Sequence, residues 1–206
     1  MYQENETVRI ESFSDAVFSI AITLLVIEIK VPSHEQVDQV GLWHALLNLW
    51  PSYLAFVTSF ATILVIWIQH HWIFALTIRY DHALFYLNGL LLLLVTFIPF
   101  PTALLSEYLL DHEAKVAANI YTGIFLAISL SFDLLWRHVS KYLLRKDAVP
   151  QKKEDAILIT SHYRYASLLY LGAFGISFIS EPWSIAICFF LAFLYALRGW
   201  PFRQSI

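Results

Sequence analysis

The sequence has one cysteine, one methionine and six glycines in 206 residues, and only 14% of it is charged. The lone Cys188 closes no internal disulfide and suggests no metal site. An ordinary soluble domain carries roughly 25% charged residues. Here the shortfall is filled by apolar groups: 59% of the chain is hydrophobic and the mean hydropathy is +0.63. No stretch shows a polar outer face at the helical period, which excludes a soluble helical bundle. Low-complexity tracts, linkers and convincing internal repeats are missing too. The inverted-repeat architecture of many transporters therefore has no support, and one domain over residues 1–206 is expected.

What is present is hydrophobic length. A helix needs about 20 mostly apolar residues to cross a bilayer core. Six stretches qualify, at approximately 9–31, 46–72, 83–106, 116–140, 156–179 and 182–201. The fold class expected is an all-α integral membrane protein with six transmembrane helices. Residues 1–8 are too polar for the front of a cleavable signal peptide, so the first helix is expected to stay as a span. Lys and Arg remain preferentially on the cytoplasmic side. With the N-terminus inside, that side collects 11 of them and the outside only Lys30 and Lys115. Both termini are then cytoplasmic. The basic loop from Arg137 to Lys153 also suits anionic headgroups. Trp43, Trp50, Trp72, Trp136, Trp183 and Trp200 fall near span ends, where interfacial Trp belongs. Membrane lipid is thus a partner, and no nucleic acid is expected.

The first span is unusual in its polar groups. At about 100° per residue, Ser12, Asp15, Ser19 and Thr23 share one stripe, and Ala16, Ile20, Leu24 and Ile27 share the next. Ser and Thr can bond their own helix carbonyls, and Ile and Leu face lipid in any span. Asp15 asks for more, because an ionised carboxylate inside a span is costly unless paired. Arg9, six residues earlier, is placed to fold back towards it. A helix N-terminus also favours an acid. Asp15 is then a cap, a packing anchor or a proton-binding group, and the sequence favours the anchor.

Other polar residues read more simply. His70 and His71 are adjacent, so they point to different faces and make a poor metal pair. A hydrogen-bonded packing role or pH sensing remains open for them. Asp133 and Arg137 have the i, i+4 spacing of an intrahelical ion pair. Asn88 lies within the third span and can bridge helices. Pro99 and Pro101 should end that helix, and Gly172 and Gly175 should allow close packing in the fifth. Glu107, Asp111 and Glu113 make the following loop acidic. The eight histidines form no converging catalytic motif, so no enzyme activity is expected.

The order Arg9, then Phe13-Ser14-Asp15, then an aliphatic helix ending "LVIEIKVP" resembles the transmembrane protein 175 family of potassium channels. "WIQHHWIFALTIRYD" (67–81) and "LNGLLLLLVTFIPFPTALL" (87–105) are similar to its second and third helices. The resemblance implies a prokaryotic one-repeat form, homotetrameric, with the first helix of each chain lining a central pore. It implies a hydrophobic constriction at Ile20, extended by Leu24 and Ile27, and a selectivity layer of hydroxyls at Thr23, with Ser19 second. It implies a structural role for Arg9, Phe13, Ser14 and Asp15, with His70, His71 and Asn88 as partners. The chain contains neither a TVGYG-type filter nor the Arg ladder of a voltage sensor. The resemblance further implies passive conduction of potassium, with Rb+ and Cs+ as companions and moderate discrimination against sodium. It implies a bacterial plasma membrane, with no cofactor beyond the permeant ion. A proton channel or proton-coupled transporter is the alternative that Asp15 and the histidines motivate.

Overall fold

The structure is a computed structural model that describes residues 6–77, 79–144 and 165–197. Among these, helix is the dominant element and the only bridge between extended residues joins Thr77 to Leu144. Helix α1 spans Glu6–Leu24 and tightens into a 3-10 turn, Leu25–Glu28. Two short helices follow, α2 (His34–Val40) and α3 (Leu42–Asn48). Then come α4 (Trp50–Leu76), α5 (His82–Phe97), α6 (Pro99–Tyr108) and α7 (Ala114–His138), the last running into a wider turn, Val139–Leu143. Two further apolar helices are α8, Tyr165–Ser177, and α9, Glu181–Leu197.

Four helical segments are long and apolar enough to cross a membrane: Thr7–Glu28, Trp50–Leu76, His82–Tyr108 and Ala114–Leu143. They match the first four expected spans. The fifth expected span begins outside the described residues and the sixth ends outside them. Their described parts form α8 and α9.

Between α1 and α4 the chain does not simply loop. Ser33 caps α2 in a reciprocal box with Gln36, which satisfies two free N–H groups at once. Gly41 then takes φ +78°, a conformation that L side chains rarely adopt, and α3 starts immediately. Neither helix is long enough to register as a span, so the sequence reading passed over both.

The third span corrects another expectation. Helix α5 does end at Phe97, just before Pro99, but the span does not end there, because α6 starts at Pro99 and carries it on to Tyr108. Ile98 donates only to Val95, three residues back, and Thr102 resumes the α-helical pattern by donating to Ile98 at 3.1 Å. Proline at the first helical position loses no bond that the helix would have made. Helix α6 continues to Tyr108. Thr102 is held there by a buried hydroxyl cluster: Ser59 of α4 lies 2.7 Å from Thr102 and 3.1 Å from the Tyr121 hydroxyl of α7.

Helix α7 occupies the middle of the bundle, packed on α5, α6 and α9. Its Tyr121, Phe125, Leu135 and Trp136 are among the most deeply buried side chains. Trp136 was expected at the membrane interface; instead it is core. Trp43, Trp50 and Trp183 are exposed as an interfacial residue would be, and Trp200 lies outside the described residues. The glycine expectation also shifts. A Cβ on Gly172 or Gly175 would meet nothing within 4 Å, whereas one on Gly123 would lie 3.2 Å from the Phe174 ring. Gly123 is the residue that lets α7 and α8 approach. Asp133 and Arg137 do form the expected ion pair, at 2.6 Å.

At the N-terminal end of α5, Asp81 accepts from the backbone N–H of Leu84 at 2.8 Å. His138 Nε2, from the end of α7, lies 3.0 and 2.8 Å from the two Asp81 oxygens. Desolvation pushes the Asp81 carboxyl up, but the Leu84 N–H and His138 outweigh it and hold the group below its ordinary value of 3.8.

Candidate functional site

Helix α1 packs mainly on α4 and α5. Ile10, Ser14, Phe18 and Ala21 are its buried residues, and Leu25 of the following turn continues them. Their spacing of three or four traces one helical face. The opposite face is left unpacked among the described residues, apart from one hydrogen bond to Asp15 at its edge. Ser12, Asp15, Ala16, Ser19, Ile20, Thr23, Leu24 and Ile27 are all exposed. Ile20 is 57%, Leu24 41% and Ile27 68% accessible. The polar and aliphatic stripes seen in the sequence are therefore the two halves of this open face.

The buried face is pinned by one polar chain. Ser14, fully buried, donates to the Ile10 carbonyl at 2.8 Å. Asn88 of α5 donates through Nδ2 to Ser14 Oγ at 3.0 Å. Its Oδ1 accepts from His70 Nε2 of α4 at 2.9 Å, which requires the His70 proton on Nε2. The His70 ring lies edge-on to Phe18 of α1 and stacks on Phe74. Three helices thus share one bond network in which the Asn88 amide is used at both ends. Inside a membrane such satisfaction matters, because no water is available to replace a lost partner.

Asp15 is tied differently from expectation. Its Oδ1 accepts from the Trp67 indole N–H at 2.8 Å, and no ion pair joins Arg9 to it among the described residues. Arg9 is exposed. Trp67 was missed as a partner, although it precedes His70 by one helical turn and so shares its side of α4. His71 is exposed and stacks against Trp67 at 6.5 Å between ring centres; it makes no hydrogen bond to the motif. Of the expected motif and partners, Ser14, His70 and Asn88 share one network, Asp15 is bound by Trp67, and His71 joins only by stacking on Trp67. Arg9 and Phe13 are exposed and outside both sets of bonds.

On the open face, the Thr23 hydroxyl donates within its own helix, with the Ser19 and Ile20 carbonyls at 3.0 and 2.9 Å. The oxygen keeps its capacity to accept, and Thr23 is exposed. At the far end, Lys30 reaches Glu107 of α6 at 2.8 Å, and the pairing raises the Lys30 pKa above its ordinary value of 10.5.

A bundle of long apolar helices with its backbone bonds satisfied within each segment defines an integral membrane protein. One peripheral helix keeps an unpacked, partly hydroxylated face. The comparisons with known proteins then give the family. The profile described as endosomal/lysosomal potassium channel TMEM175 matches residues 9–99. A potassium channel of Chamaesiphon minutus is 58% identical over 96% of this chain and 97% of its own length. One from Streptomyces collinus is 41% identical over 96% of this chain and 95% of its own. The crystal structure of a lysosomal potassium-selective channel TMEM175 homolog from Chamaesiphon minutus superposes with a TM-score of 0.88, at 57% identity, covering 95% of this chain and 98% of that one. The chain belongs to the TMEM175 potassium channel family; it is a channel protein and not an enzyme.

Proposed function

We propose that this chain is one subunit of a homotetrameric, potassium-selective cation channel, in which α1 of each copy lines a central path. The observation that carries this reading is the division of α1. One face is pinned to α4 and α5 through Ser14, Asn88 and His70, while the face bearing Ser19, Ile20, Thr23, Leu24 and Ile27 is left open. Lipid needs no hydroxyls; an ion path does.

Ile20 is the narrowest ring, and four such side chains close the path by expelling water. Leu24 and Ile27 extend the constriction outward. A small tilt or rotation of α1 widens it. The Thr23 oxygen, its hydrogen already committed to the helix, replaces part of an ion's hydration shell, with Ser19 as the second hydroxyl. Hydroxyl dipoles hold an ion more weakly than a ring of carboxylates, which suits rapid exit. Selectivity for potassium over sodium is then real but moderate, and Rb+ and Cs+ pass as well. Asp15, Trp67 and the Asn88 network hold the helix in place and take no part in conduction.

The chain forms a single six-span domain with both termini in the cytoplasm, in a bacterial plasma membrane. It uses no cofactor; the permeant ion is potassium. Flux from liposomes holding the purified protein, with potassium, sodium or protons as the sole permeant cation, tests the reading. Potassium flux above sodium flux supports it. Proton-driven, saturating uptake without potassium flux replaces it with a transporter.

A further inference from the structure

Among the described residues, Phe13 is the hydrophobic member of the Phe-Ser-Asp motif that stays uncovered. Ser14 is buried in the Asn88 network and Asp15 is bound by Trp67. Phe13, between Ser12 and Ser14, is 65% exposed. A single exposed aromatic on a membrane helix needs no explanation by itself; its angular position does. Phe13 precedes Ile20 by the same seven residues that separate Ile20 from Ile27. At about 100° per residue that interval turns the helix by only about 20° from a whole number of turns. The buried residues Ile10, Ser14 and Phe18 fix how α1 is rotated, so Phe13 must face where Ile20 faces. At about 1.5 Å per residue it sits about 10 Å nearer the N-terminus.

We propose that Phe13 lines the N-terminal, cytoplasmic entrance of the ion path, where four copies form an aromatic collar ahead of the Ile20 constriction. This placement rests on the reading of α1 as the pore-lining helix. It gives the motif a divided task. Ser14 and Asp15 hold the helix, and their bonds aim the ring of Phe13 at the axis. Ring faces are electron-rich and attract cations weakly, so the collar is an apolar approach that does not repel the permeant ion.

The test uses the single native cysteine to advantage: Cys188 is buried in α9, so a thiol placed at position 13 can be labelled against a low background. Phe13→Cys is assembled in liposomes and treated on both sides with a membrane-impermeant, positively charged methanethiosulfonate. The same treatment is given to wild type and to Phe190→Cys, which places the thiol on an exposed position of α9. The expected result is attachment at position 13 and a fall in potassium flux by more than about half, as a bulky charge enters a narrow path, with wild type and Phe190→Cys unaffected. Attachment without loss of flux overturns the placement. So does failure of the reagent to reach position 13, which means that lipid or protein covers it. A Phe13→Cys protein that no longer assembles where wild type does overturns it as well, because the ring is then a subunit contact. If untreated wild type carries no potassium flux, the channel reading itself has failed, and that failure is separate.

Discussion

Asn88 holds three helices with one amide. Asn88→Ala leaves the His70 N–H and the Ser14 hydroxyl without their shared partner in a region that water does not reach. An unsatisfied buried polar group costs about 1–3 kcal/mol, and interhelical bonds in membranes average nearer 0.6 kcal/mol. Thermal unfolding in detergent should therefore show a loss of about 1–2 kcal/mol; a change below a few tenths would remove the network from the account. Thr23→Val tests the hydroxyl layer instead. The side chain keeps its shape and loses the oxygen, so the preference for potassium over sodium should fall by about threefold or more while the subunit assembles normally. Asp81 carries a pH signature. Its folded pKa is held below 3.8, so its contribution to stability is fully present above that value and is lost as pH falls through the lower, folded value. Melting temperatures measured from pH 6 to pH 3 should drop less steeply for Asp81→Asn than for wild type.

At the scale of elements, spacing decides. A Cβ at Gly123 meets Phe174 at 3.2 Å, so Gly123→Leu should force α7 and α8 apart and cost about 1–3 kcal/mol. Gly172→Ala and Gly175→Ala, where nothing lies within 4 Å, should leave the melting curve unmoved or raise it slightly. The sequence pointed to the wrong pair. Gly123 differs from Gly172 only in what lies across from it, and a partner 51 positions away has no local signature. The same limit hid the Trp67–Asp15 bond and the Ser59–Thr102–Tyr121 cluster. What was legible came from length and local order. The first four spans were read from apolar runs, because a bilayer fixes how long such a run must be. The Asp133–Arg137 pair was read from i, i+4 spacing. The open face of α1 was half legible: its polar stripe stood out, but an all-apolar background gave no sign of which aliphatics were buried. Short helices α2 and α3 lay below the length that hydropathy detects. Trp136 was misplaced because an interfacial position and a core position near a helix end look alike in sequence.

For the whole molecule, the account joins a pinned face and an open face into an assembly. A subunit whose α1 left Ile20 and Ile27 against lipid would be stable alone and would conduct nothing. A ring of subunits gives those residues a shared axis and gives the Thr23 and Ser19 hydroxyls an ion to meet. The most direct test is a polar residue at the constriction. Ile20→Asn puts a polar, somewhat smaller side chain at the ring and admits water, so a hydrophobic gate predicts that potassium flux from liposomes rises, by about tenfold, with potassium still preferred over sodium. Potassium flux that is unchanged by Ile20→Asn in a normally assembled protein would contradict the claim that the open face of α1 forms the constriction.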